Sequence, residues 1–351
     1  MSNKLRVLSI DGGGIRGIIP ASVLTEIEKV SGKPIHELFD LICGTSTGGI
    51  LSLGSTLPDP NNPKVAKFSA AELLASYRLD GLIIFSRSIW WKIKTAGGWC
   101  GPKYPASGVE AVLQDRVGEA KLSDALTPII ISSYDTHASK SVFFKSESAK
   151  LKPATKDFLM TEVGRSTSAA PTYFPAENIQ KIAIQNSNVD GGVFVNDPAM
   201  CGYAEALEIT KDEKSPHHGK DIFVVSLGTG SLTTSIPYSQ SKNRGKLGWI
   251  SGGSIIDVMS DGVADAVDYQ LELVLNRTVR KGNDGSRPDG IVSANAAEKN
   301  YYRFQLTLAQ GHEEMDNVTT ANMDYLYGAG SELVSHRKND IAAVCQVIAE
   351  S

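Results

Sequence analysis

A serine set between glycines, an aspartate followed by two glycines, and a triple glycine are the residues in this chain placed to do chemistry. Gly44-Thr45-Ser46-Thr47-Gly48 follows the GxSxG pattern. Its glycines relieve crowding around a sharp turn that presents the serine hydroxyl at the start of a helix. The positive end of that helix lowers the cost of a developing alkoxide. Nucleophilic attack by Ser46 on an ester carbonyl is the chemistry such a turn supports. GxSxG also occurs in glycine turns whose serine is idle, so the motif needs corroboration.

Asp11-Gly12-Gly13-Gly14-Ile15-Arg16-Gly17 is the second cluster. Successive glycines let backbone N–H groups converge on one concavity, which can hold a phosphate or the oxyanion of an attacked ester. Gly12, Gly14 and Gly17 also satisfy GxGxxG. Dinucleotide binding would further require an acidic residue about 20 positions on, at the end of the second strand. That strand ends here in Cys43-Gly44-Thr45-Ser46, with Asp40 at its start. The turn alone leaves both chemistries open, with the dinucleotide one the weaker.

A serine nucleophile needs a base. The chain has six histidines. His217 and His218 sit in a charged loop, and His36 and His137 adjoin turn or polar residues. His312 and His336 lie in polar stretches, so no flanking sequence marks a histidine as the base. Asp190-Gly191-Gly192 offers a carboxylate whose small neighbours permit close approach to a serine. Taken singly, Asp-Gly-Gly is more often a turn that caps its own backbone.

The elements that must position these residues are legible around them. Leu5 to Ile10 reads as a strand running into the first glycine turn, and Ala21 to Val30 follows with helical spacing. A second apolar run, Leu38 to Cys43, ends at the Ser46 turn, after which a helix of small residues is expected. Further strands are predicted at Pro128 to Ser133, Ser141 to Lys145, Asp221 to Leu227 and Tyr301 to Leu306. A long helix is predicted over Ile255 to Leu275, and a loop over Asn283 to Asp289. Strand, glycine turn and helix, repeated, is how a parallel α/β sheet begins. No internal repeat or composition shift divides residues 1–351, so a single domain is expected.

With 35 Lys and Arg against 39 Asp and Glu, the formal charge is −4. That balance gives no global attraction to nucleic acid or to anionic membranes. Cys43, Cys100, Cys201 and Cys345 are widely spaced, with neither a metal-ligand pattern nor a disulfide framework, so reduced thiols are expected. No apolar run reaches the roughly 18 residues of a membrane span. With no signal-peptide pattern at the N-terminus, a cytoplasmic location is expected.

Together the three clusters resemble the patatin-like phospholipase family, plant patatins in particular. DGGGIRG, GTSTGG and DGG stand in the family's order. The likeness extends through FDLICGTSTGGIL, ALTPIIISSYDT, STSAAPTYFPAE, VDGGVFVNDPAM, VVSLGTG and EEMDNVTTANMDYL, from Leu5 to roughly Leu333. The resemblance implies an α/β fold: a three-layer sandwich with a central, mixed but mostly parallel sheet flanked by helices. It implies calcium-independent hydrolysis of phospholipid, lysophospholipid or galactolipid acyl esters, with no cofactor. Ser46 would be the nucleophile, Asp190 the general base, and Gly12, Gly13 and Gly14 the oxyanion hole. Gly17, Gly44, Gly48, Gly191 and Gly192 would support those turns. Arg16 would hold its turn or a lipid phosphate. An aspartate of ordinary pKa is a weak base at neutral pH, so the scheme requires a buried Asp190.

No acidic residue stands between Asp80 and Glu110, and Arg87, Lys92, Lys94 and Lys103 alternate there with Ile and Trp. Residues 82–103 therefore suit peripheral contact with a membrane surface; a core segment with solvated charges is the competing expectation. Some bacterial relatives are membrane-degrading effectors of anti-phage defence, switched on by a cyclic nucleotide. Some patatin relatives are storage proteins. Both roles stand as alternatives to the lipid acyl hydrolase.

Overall fold

The computed structural model describes residues 4–180, 186–231, 236–245, 248–249, 254–279, 291–293 and 299–349. Strand β1 (Lys4–Ile10) enters the glycine turn, and helix α1 (Ile18–Ser31) returns the chain to β2 (Leu41–Gly44). Helix α2 (Thr47–Thr56) then starts directly from Ser46. Helices α3 (Ala70–Ile84), α4 (Ile89–Lys94) and α5 (Ser107–Arg116) precede the β3 (Ile129–Asp135) and β4 (Lys140–Lys145) hairpin. After α6 (Met160–Thr167) come β5 (Asn188–Asp190), α7 (Ala199–Lys211) and β6 (Asp221–Leu227). Helix α8 (Ser254–Leu271), β7 (Tyr301–Phe304), α9 (Thr320–His336) and α10 (Lys338–Ala349) follow.

The main sheet has the order β7-β6-β1-β2-β3-β4, with β5 also on β3. From β7 to β3 the pairings are parallel, and β4 and β5 run antiparallel to β3. The mixed, mostly parallel sandwich expected from the sequence is therefore what the chain forms. Leu5 and Val7 of β1 join one apolar layer, under α7 and α8, while Leu8 and Ile10 join the other, under α1, α2, α9 and α10. Burial on both faces is why β1 reads as an unbroken apolar run rather than an alternating one.

Register places the chemistry at one end of the sheet. Ile10 lies opposite both Gly44 and Leu227, so the turns after β1, β2 and β6 leave side by side. The chain winds outward from β1 in both directions, a crevice where open α/β sheets bind ligands.

Several boundaries differ from the sequence expectation. The strand expected from Leu38 starts only at Leu41, because Asp40 turns aside to accept hydrogen bonds from the Arg6 amide and guanidinium. β7 stops at Phe304, where the Gln305 side chain takes the Gly230 N–H. The long helix continues past Leu271 as a wider turn through Asn276. The loop expected at Asn283 to Asp289 lies outside the described residues. All four cysteines are free thiols. Among the described residues, no helix is long and apolar enough to cross a membrane.

Candidate active site

Ser46 sits at φ 54°, ψ −123°, a backbone conformation that L-residues rarely adopt. Two glycines make this turn possible. A Cβ on Gly48 would stand 2.1 Å from the Ile10 carbonyl oxygen, and one on Gly44 would stand 2.4 Å from the carbonyl oxygen of Gly48. The Ser46 N–H donates to the Thr167 hydroxyl at 2.9 Å. Thr45 anchors the other side, its hydroxyl 2.7 Å from that of Ser132 and 2.8 Å from the Val195 carbonyl oxygen.

Asp190 reaches the same place by strand pairing. β4 occupies one edge of β3, so β2 and β5 share the other: β2 ends with Gly44 opposite Ile131, and β5 ends with Asp190 opposite Ser133. Gly191 must follow without a side chain, since a Cβ there would lie 2.1 Å from the Ser132 hydroxyl oxygen. The Asp190 carboxylate accepts a hydrogen bond from the Gly192 N–H at 2.8 Å, and the Ser46 hydroxyl lies near enough to favour its charged form. Burial pushes its pKa up to about 6, against the pull of those two donors. This is the buried environment that a carboxylate base requires.

The three glycines expected to donate together do not behave alike. The Gly12 N–H is committed to the Asn196 carbonyl oxygen at 3.1 Å, while the Gly12 carbonyl accepts the Thr229 hydroxyl at 2.6 Å. Among the described residues, the N–H groups of Gly13 and Gly14 have no such acceptor, and both glycines line the cavity that Ser46 faces. Gly14 holds φ 58°, and a Cβ there would strike the Met315 carbonyl oxygen at 2.2 Å. Arg16 is 4% exposed, turns its Nε toward the Gly13 carbonyl and is not among the residues lining the cavity. Gly17 lies where Tyr77 and Thr47 close in, their hydroxyls 2.6 Å apart.

Behind the turn is a buried ionic cluster that no local sequence pattern announces. Arg303 of β7 binds both oxygens of Asp11, at 2.9 and 2.6 Å, and lies 3.2 Å from Asp197. Burial drives the Asp11 pKa to about 7, even though the Arg303 charge pulls it down. One guanidinium thus ties the head of the glycine turn to the residue following Asn196, the residue that fixes Gly12.

Ser46, Asp190, Gly13 and Gly14 line a cavity of about 310 Å³ whose other walls are mostly apolar, including Ile50, Ile84, Val109 and Phe174. None of the six histidines lines it. His312 stacks on Tyr325 and bonds Asn322, and His336 is exposed. Much of residues 82–103 lies outward, with Trp90 79% and Trp99 72% exposed beside Ile89 and Ile93, while Ile84 lines the cavity, Phe85 packs on Tyr104 and Phe174, and Thr95 is buried.

Comparison with known proteins shows the family. The family model for patatin-like phospholipases matches residues 8–200. Patatin-like protein 2 of Oryza sativa subsp. indica is 33% identical, across 93% of this chain and 83% of its own length. Patatin-08 of Solanum tuberosum is 32% identical, across 95% and 84%. Human GIVD cytosolic phospholipase A2 superposes with a TM-score of 0.48 at 10% identity, across 99% of this chain and 60% of that structure. The chain belongs to the patatin-like phospholipase family.

Proposed function

We propose that this protein is a calcium-independent lipid acyl hydrolase, of phospholipase A or lysophospholipase type, working through a Ser46–Asp190 dyad with no cofactor. The observation that carries this reading is that Ser46 and a buried Asp190 line the same mostly apolar cavity, with Gly13 and Gly14 beside them. Asp190 takes the hydroxyl proton as Ser46 Oγ attacks the ester carbonyl. The Gly13 and Gly14 N–H groups receive the oxyanion, each good donor contributing about 3 kcal/mol. Collapse of the tetrahedral intermediate returns the proton to the departing alcohol and leaves an acyl-serine. Asp190 then takes a proton from water, whose oxygen attacks the acyl carbonyl, and the fatty acid leaves with Ser46 regenerated.

The whole chain acts in this reading as one cytoplasmic domain that visits membranes peripherally. The exposed Trp90, Trp99, Ile89 and Ile93, with Lys92 and Lys94 among them, form the surface that meets the bilayer. A storage role with a vestigial site is disfavoured by Ser46 and Asp190 both being present and lining one cavity.

The test is hydrolysis of p-nitrophenyl butyrate by wild type, Ser46→Ala and Asp190→Ala, with fluorophosphonate labelling alongside. Labelling at Ser46 and activity lost in both variants support the dyad. A wild type inert to esters, to the probe and to phospholipid vesicles, with or without added cyclic nucleotides, would sink the enzyme reading.

A further inference from the structure

A second cavity, of about 330 Å³, lies against the first. Six residues line both: Ile50 of α2, Leu73, Ser76 and Asp80 of α3, and Val112 and Leu113 of α5. The wall between the two is thus one layer of side chains, most of them aliphatic. Beyond it the second cavity is bounded by Leu53, Phe68, Leu79 and Val117. Its charged lining groups already have partners. Asp80 holds Arg116 at 2.9 and 3.2 Å, and Glu72 takes the Ser69 N–H at 2.8 Å in a capping box at the start of α3. A hydrocarbon chain passing them leaves no charge newly stranded.

We infer that the second cavity is an extension of the acyl site: it receives the distal methylenes of a long acyl chain whose carbonyl lies at Ser46. The inference rests on the acyl-hydrolase reading above. A short acyl chain fits within the first cavity, whereas a long one must part Leu73 from Val112 and Leu113 and continue between α3 and α5. Leucine side chains such as Leu73 and Leu113 can yield in this way by changing rotamer, and the backbone need not move. Chain-length preference is therefore set away from the reacting atoms, by side chains of α3 and α5.

The test uses the intact protein and two readouts. One is the rate on p-nitrophenyl butyrate, octanoate, dodecanoate and hexadecanoate. The other, independent of catalysis, is displacement of a fluorescent fatty acid by octanoate, dodecanoate and hexadecanoate. Ala75 and Leu79 border only the second cavity and stand on the exposed side of α3, where a larger residue does not disturb folding. In wild type, affinity should keep rising beyond octanoate, by up to roughly fourfold per methylene buried. Ala75→Trp and Leu79→Trp should flatten that rise and lower the hexadecanoate-to-octanoate ratio about tenfold or more. Val112→Ala, which thins the wall, should raise the ratio. Identical length profiles in wild type and both tryptophan variants would overturn the inference. An inert wild type that still binds long chains in this graded way would overturn the hydrolase reading and leave the second chamber standing.

Discussion

Asp190 faces Ser133 across the β5–β3 pairing, two residues beyond the Ile131 that faces Gly44. One edge of β3 thus spaces the two halves of the proposed dyad. Residues 144 positions apart in sequence, Ser46 and Asp190, are held together by backbone pairing rather than by their own side chains. They should therefore act as a unit. Ser46→Ala and Asp190→Asn are each expected to lower kcat/KM on p-nitrophenyl butyrate by about 10⁴-fold or more, and the double variant should fall no further. Additive losses would mean the two residues work independently.

The raised pKa of Asp190 makes two statements about pH. As a base it must be ionised, so kcat/KM should climb with pH to a plateau, with a midpoint near 6. For stability the sign is opposite. The folded state holds this proton more tightly than the unfolded chain, so stability is lost as pH rises from about 4 to 6. Asp190→Asn should therefore gain up to about 3 kcal/mol over wild type at pH 8 and nothing at pH 3, as measured by urea unfolding.

Arg303 neutralises two buried carboxylates at once. Arg303→Met should destabilise the fold by about 3–5 kcal/mol, because Asp11 and Asp197 would be left facing each other without a cation. Adding Asp11→Asn to Arg303→Met should recover part of that loss in denaturant unfolding. A double variant as unstable as the single would show that repulsion between the carboxylates is not the cause.

The tryptophan segment makes a separate prediction. Trp90→Ser with Trp99→Ser should reduce co-sedimentation with anionic phospholipid vesicles by roughly tenfold or more. Reversing the charge at Lys92 and Lys94 should weaken binding at low salt much more than at high salt. Hydrolysis of the water-soluble butyrate ester should be unaffected by all four changes.

What could be read from the sequence follows from distance along the chain. Glycine turns, the serine between them and the flanking strands are local patterns, and they stood out. Asp190 gained meaning only from the two motifs before it. Thr167, Thr229 and Asn196 could not be found, because each is an ordinary polar residue until the sheet delivers it to Ser46 or Gly12. Arg303 and Asp197 meet across 106 residues by way of β7, and nothing beside either announces a partner. The sequence also could not separate Gly12 from Gly13 and Gly14. Which amide is already engaged depends on the carbonyl of Asn196, far downstream. Composition made residues 82–103 suitable for either a core or a bilayer, and only burial shows which of its side chains face outward.

The positive φ of Ser46 bears on how such a site persists through descent. Glycine accepts this backbone freely, whereas any other residue is strained there by about 1–3 kcal/mol. Ser46→Gly and Ser46→Ala both delete the hydroxyl, so their difference reads the relief of strain less the greater unfolded-state entropy of glycine. Glycine should be the more stable of the two, by up to about 2 kcal/mol in urea unfolding. In a lineage that had stopped using the hydroxyl, drift toward glycine would meet no resistance and would bring added robustness. In the proposed mechanism, the strain at Ser46 is what it takes to hold a hydroxyl where glycine would sit more easily.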